Sequence, residues 1–304
     1  METLPTLSTE DARSLLSTPD LIAVGVQADD ARRAMHGART TFGRVLEVHV
    51  DAIPSALPPD EKAGELRIIG TPSNESAAIA AVNALVALGE GQPGRDGNQR
   101  RPLTGFSLAD LRSLVSSVDE FKHLCRRLRG AGLEAVADVP LDLLDDAAET
   151  ITAARDAHLK VRRLTVQALP SGDTRAEDLI SFVERARDLQ AAVGDLKAFA
   201  PLPRTMSIAQ PTTGYDDVKL IALARLIVTN ISSIQVDWPL YGPKLAQVAL
   251  TMGADDVDGI AAVDSSALGP RRSPVEEIKT NIRAAALEPI ERDGRFHVVS
   301  EPTR

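Results

Sequence analysis

The chain has 304 residues, 43% apolar and 25% charged, enough to bury one large core or two modest ones and unlike a disordered protein. Its 34 basic against 43 acidic residues give a net charge of −9, which argues against nucleic acid as a partner. No apolar run approaches a membrane span, no basic-then-apolar leader opens the chain, and a single cysteine excludes an internal disulfide and a Cys-rich zinc site, so the sequence reads as cytoplasmic, with no membrane partner.

In chain order, Ser8-Thr9-Glu10-Asp11 before Leu15-Leu16 and Leu21-Ile22 predicts two short capped helices that plug or flank the strand-rich remainder of the chain. Strand patterns then recur at Arg44–Val50, Leu66–Gly70, Leu103–Phe106, Leu133–Asp138, Arg162–Ala168, Leu196–Ala200, Ile234–Trp238 and Val257–Val263. Helical patterns alternate with them at Ser76–Leu88, Asp119–Arg129, Ala147–His158, Ala176–Val193, Tyr215–Thr229 and Pro243–Met252. Eight strands in about 250 residues of alternation predict an α/β protein with a closed (β/α)8 barrel of the TIM type over 44–304, behind a helical lead-in over 1–43. An open doubly wound sheet is the competing architecture. Residues 89–102, with glycines, Pro93 and Arg100-Arg101, read as a flexible loop on the N-terminal face. Their formal G-x-G-x-x-G match follows a helix and carries a proline, so it fails as a dinucleotide motif.

Several segments resemble a known family. Ile234-Gln235-Val236-Asp237-Trp238, Gly242–Leu250 and Gly253-Ala254-Asp255-Asp256-Val257-Asp258-Gly259 resemble the C-terminal half of the menaquinone-pathway radical S-adenosylmethionine enzymes, aminofutalosine synthase and dehypoxanthine futalosine cyclase, which share their architecture with deazaflavin-cofactor synthase subunits. Lys197–Leu202, Ala222–Asn230, Pro289–Asp293, Asp20–Ala23 and His36-Gly37 extend the resemblance along the chain. It implies a radical-SAM-like barrel and, for an intact member, three thiolates in a C-x-x-x-C-x-x-C loop that hold a cubane iron–sulfur cluster.

Here that loop is missing. Between Val48-His49-Val50-Asp51 and Glu65–Gly70 lie only Ala52–Gly64, so the first β–α–β connection is shortened and the chain's one cysteine, Cys125, falls on a predicted helix face. The family's glycine-rich segment after the fourth strand is Ala137-Asp138-Val139-Pro140-Leu141-Asp142, where valine, proline and leucine exclude close backbone approach. Asp142 stands where the family has a ribose-binding glutamate, which leaves one adenosine contact and puts S-adenosylmethionine binding in doubt. No cofactor, no iron–sulfur cluster and no metal site are expected. The resemblance therefore implies a degenerate, non-catalytic member linked to menaquinone biosynthesis by the futalosine route, which binds a nucleoside or aromatic acid or pairs as a homodimer or as a heterodimer with an active homologue. Loss of a covering helix predicts exposed apolar barrel surface for that partner.

Alternation along Leu46–Asp51 points Glu47, His49 and Asp51 into the barrel, with His49 and Asp51 at the C-terminal end, as candidate acid–base residues. Asp138, Asp142, Gln167, Asp237 and Asp264 lie at predicted strand ends, Arg204 and Arg271 could receive a carboxylate or phosphate, and Trp238 could stack on a planar ring. These residues either fill the upper barrel layer or form a ligand site. The alternative function from the same residues is a cluster-independent lyase or hydrolase.

Overall fold

In the computed structural model, which describes residues 7–58, 61–89, 100–168, 175–205, 213–263 and 275–299, the lead-in is two helices, α1 (Thr9–Ser17) and α2 (Leu21–His36). Ser8 and Asp11 close a capping box on α1, and Asp20 caps α2 by accepting from the Ala23 amide. The second helix has sixteen residues and buries Val24, Ala28 and Ala31, so it is a full member of the outer layer. The pair flanks the barrel against α7 and α8 and does not plug it.

Then follow β1 (Arg39–His49), β2 (Glu65–Ile69), α3 (Glu75–Leu88), β3 (Leu103–Ser107), α4 (Leu108–Ser113), α5 (Val118–Ala131), β4 (Ala135–Pro140), α6 (Ala147–Asp156), β5 (Arg163–Val166), α7 (Arg175–Val193), β6 (Ala198–Pro203), α8 (Gly214–Ile227), β7 (Ser233–Asp237), α9 (Trp238–Leu250), β8 (Asp256–Ala261), α10 (Val275–Ala284) and β9 (Glu288–Arg292). Strands β1 to β8 pair in parallel and in order, and β1 closes the barrel on both β8 and β2. The predicted barrel forms, with α4, α10 and β9 added to the elements read from the sequence. Helix α9 is interrupted at Gly242 (φ 73°), so its regular part begins at Pro243 as the sequence predicts. Among the described residues, no helix is long and apolar enough to cross a membrane.

Strand β1 is longer than expected. Its first half, Arg39–Gly43, pairs in parallel with β9, and its second half, Val45–His49, pairs with β2. Because β8 holds the other edge of β1, β9 and β2 occupy one edge in tandem. The late segment thus completes the sheet beneath β2.

No helix connects β1 to β2 among the described residues. The outward side chains Phe42 and Val48 are nevertheless buried, Ala63 is in the core, and Ile53 and Leu57 pack against it. The short connection covers the wall itself, which corrects the expectation of an exposed apolar strip there. Of the segment read as a flexible loop, residues 90–99 lie outside the described residues. Its end is anchored: Arg101 is buried and paired with Glu61, and the Pro102 carbonyl accepts from the Leu66 amide.

Charge fills the lumen. Arg67 donates to Glu65 (2.8 Å) and to both oxygens of Asp258 (2.8 and 3.2 Å), and Arg163 donates to the same Asp258 and to Gln235. Arg292, from β9, reaches in to Asp256 (2.5 and 2.7 Å) and Asp258 (3.2 Å). Burial works against the charge on Asp258, but Arg67, Arg163 and Arg292 together outweigh it and hold its carboxyl well below the usual carboxylate range.

Removing one member of a buried, compensated set leaves the others unpaired, at a cost of about 3–5 kcal/mol. Asp258→Ala is expected to lose stability on that scale in urea denaturation, and an unchanged midpoint would contradict the role given to Asp258. Because its folded pKa is depressed, its contribution is complete above the unfolded carboxylate pKa of about 3.9 and is lost as pH falls through the folded value. The acid unfolding of Asp258→Ala should therefore be shallower than that of the parent chain below about pH 4.

Candidate functional site

Above the charged lumen, at the C-terminal ends of the strands, three predicted site residues converge. Arg204, just beyond β6, lies 3.8 Å from Asp138 on β4 and 3.4 Å from Asp237 at the end of β7. The three are placed by the parallel register that sets neighbouring strand ends at one level. Asp237 also caps α9, accepting from the Leu240 amide at 3.1 Å. Burial pushes the Asp237 carboxyl up, against the pull of Arg204.

Asp110, on α4, accepts from the Thr71 hydroxyl at 3.1 Å. Burial raises its carboxyl; the Thr71 bond opposes that rise, and the charge of Asp138 adds to it. The Arg204 guanidinium is held between two carboxylates through Nε and Nη1, and its Nη2, which makes no hydrogen bond among the described residues, is left as a donor for a ligand oxygen. The carboxylates around it suit ligand hydroxyls.

The remaining candidates are placed differently. His49 ends β1 at the rim with about half of its side chain exposed, against Gly70, where an added Cβ would stand 2.7 Å from the imidazole Nε2. Asp51 falls in the turn beyond the strand, 73% exposed, with a carboxylate oxygen 3.8 Å from His49 Nδ1. The strand ends before Asp51, so the alternation that would turn it inward stops, and neither residue is hydrogen-bonded or ion-paired to the Asp138–Arg204–Asp237 group.

Asp142 accepts from the backbone amides of Gln167 (2.7 Å) and Ala168 (2.8 Å), and the Gln167 side chain donates to Thr205 (2.6 Å). These residues brace the ends of β5 and β6. Both Asp142 oxygens are thereby engaged. Trp238 is 1% exposed in the core, which removes it as a stacking platform, and its indole N–H has no partner among the described residues. Val139 and Leu141 are fully buried in the barrel wall. Asp264 and Arg271 lie outside the described residues.

Sequence reasoning missed Thr71 and Asp110 at the mouth and the lumen residues Glu65, Arg67, Arg163, Asp256, Asp258 and Arg292. The i, i+2 charge pairs Glu65/Arg67 and Asp256/Asp258 were the available signal, since alternate strand residues share a face.

An iron–sulfur cluster does not fit the donors of this chain. Cys125 is buried on α5 with Phe121, Leu124 and Leu128, far in sequence from the β1–β2 connection, and burial pushes its thiol up to about 12. Among the described residues, no group of three or more His, Cys, Asp or Glu side chains could hold a metal ion.

Residues 198–304 match the family model described as the CofH/MqnC C-terminal region. The chain is 30% identical to aminodeoxyfutalosine synthase of Streptomyces coelicolor over 143 residues, which cover 40% of this chain and 37% of the relative. It is 29% identical to 5-amino-6-(D-ribitylamino)uracil–L-tyrosine 4-hydroxyphenyl transferase 2 of Methanosarcina barkeri over 217 residues, 60% of this chain and 54% of the relative. The matches thus span only about half or less of these relatives. Among solved structures, methylornithine synthase (PylB) shares the fold with a TM-score of 0.63 at 13% identity, covering 94% of both chains.

A thiol so placed reacts only when the core opens. Cys125 is expected to resist an aromatic disulfide reagent in the native state and to react at the rate of global unfolding; rapid stoichiometric labelling of the folded chain would contradict its placement.

Proposed function

We propose that this chain, which belongs to the radical-SAM-related family of aminodeoxyfutalosine synthase and the CofH/MqnC proteins, is a cluster-less member that binds a ligand in the cytoplasm and performs no radical chemistry. The single observation that carries this reading is the connection from β1 to β2. It contains no cysteine and no helix among its described residues, and the chain's only thiol is buried on α5. Three thiolates are the minimum for the family's cluster, so the reaction that depends on it has no anchor in this chain.

The site that remains is the mouth. Its ligand is a nucleoside or an aromatic acid, with a carboxylate taken by Arg204 and hydroxyl groups taken by Asp110 and Asp138. The corresponding role is auxiliary, in menaquinone biosynthesis by the futalosine route, as a ligand-holding or partner subunit. The partner is a second copy or an intact radical enzyme, and it docks elsewhere than on the β1–β2 wall. The acid–base alternative is weaker, because His49 and Asp51 stand apart from the convergent group at the mouth.

Calorimetric titration with adenosine and with aromatic carboxylates tests this directly. Arg204→Ala is expected to weaken a bound aromatic carboxylate by about tenfold or more, the scale of one lost charge-assisted contact, and to lower the thermal midpoint because Asp138 and Asp237 lose their counter-charge, so affinity is compared at a temperature where both proteins are folded. Equal affinity in parent and variant would remove Arg204 from the site. Binding of neither ligand class, or their turnover without any added cluster, would overturn the reading.

A further inference from the structure

A second opening lies at the other end of the barrel. Beneath the N-terminal ends of the strands lies a cavity of about 660 Å³, within the range of about 300–1,000 Å³ of small-molecule sites. It exists because of the tandem edge on β1. The first residues of β1 extend below the barrel with β9, and after Arg292 the chain turns back so that Val298 bridges to Arg292. Phe296 (φ 68°) lies over the Arg292 guanidinium, 4.2 Å from it to the ring centroid, and separates the cavity from the charged lumen. The other wall is the end of α2 and the starts of β6 and β7.

Most charges around this cavity are committed. Arg225 binds Asp255, Arg292 binds Asp256 and Asp258, and Arg295 binds Glu134. Arg39 is the exception: it is exposed and makes no side-chain hydrogen bond or ion pair among the described residues, and Glu288, its register partner on β9, forms none with it. Lys197, also on the lining, is half-exposed and shares only Asp195, at 2.9 Å. Between these cations the lining is mixed: Met35, Ile290, Phe296 and Val298 supply an apolar part, beside the carboxylates of Asp255, paired with Arg225, and Glu288. An uncommitted guanidinium and an ammonium beside an apolar floor match a molecule with an anionic head and an apolar body.

We propose that the cavity at the N-terminal face binds a small organic anion, a carboxylate or phosphate on an apolar body, with Arg39 and Lys197 receiving the anion and Met35, Phe296 and Val298 the body. This site is separate from the mouth, so its fate does not decide the function proposed above.

The chain has four methionines, of which Met35 lines the cavity and Met252 packs instead against Gly25 of α2. In protein carrying 13C-methyl methionine, assigned through Met35→Leu, titration with phenyl phosphate and separately with benzoate should move the Met35 resonance saturably and leave Met252 in place. Phenol, which lacks the charge, should not move it. Arg39→Glu and Lys197→Glu, at positions whose side chains are exposed and half-exposed, should each weaken the midpoint about tenfold or more. Retained parent dispersion of the Met252 signal certifies that the variants are folded. A Met35 resonance that stays fixed to about 10 mM of both anions, or that moves equally in parent and both variants, overturns the site.

Discussion

The buried charge lattice of Arg67, Arg163 and Arg292 around Asp256, Asp258 and Glu65 is the constraint on which this barrel rests. Its members come from β2, β5, β8 and β9, so it ties opposite walls through the lumen and fixes β9 onto the lower half of β1. Desolvating six charges is costly, and the cost is offset only because each carboxylate meets guanidinium or hydroxyl donors, as when Thr104 and Arg67 share Glu65. With the lumen filled in this way, the proposed sites lie at its two ends. One is the mouth, where Arg204 stands between Asp138 and Asp237; the other is the cavity beneath Arg292 and Phe296.

Local chemistry made much of the fold legible. Capping residues Ser8, Asp20, Asn74 and Ser117 and the apolar spacing behind them place the helices where they form, and Phe121, Leu124, Cys125 and Leu128 make the buried face their spacing predicts. Strand β9 was not legible as a strand, because five residues containing Pro289 carry little β signal and its pairing with β1 lies some 250 positions away in sequence. Pro140 and Pro203 likewise close β4 and β6 in register with their neighbours, where the sequence alone reads a loop.

The site was legible in part. Asp138, Arg204 and Asp237 follow from strand-end position, which is a property of the barrel. Asp51 and Asp142 do not follow, since one residue beyond a strand end decides whether a carboxylate faces the mouth or the solvent, and backbone amides compete for it. Trp238 shows the same limit: an indole at a strand end can face a ligand or the core, and here it lies in the core.

The part of the chain that matches the CofH/MqnC C-terminal region, residues 198–304, carries β6 to β9, whereas β1 and β2 are joined by a short segment without a helix among the described residues. In that segment Ala63 is part of the core, and Ile53 and Leu57 pack against it. A segment committed to covering the core is a poor starting point for three solvent-facing thiolates. The proposed binding role is tested most directly by anaerobic incubation of the chain with iron, sulfide and reductant, followed by iron analysis and visible spectroscopy of the desalted protein. The account predicts no bound chromophore and no 5′-deoxyadenosine on addition of S-adenosylmethionine. A stable cluster that cleaves S-adenosylmethionine would contradict it.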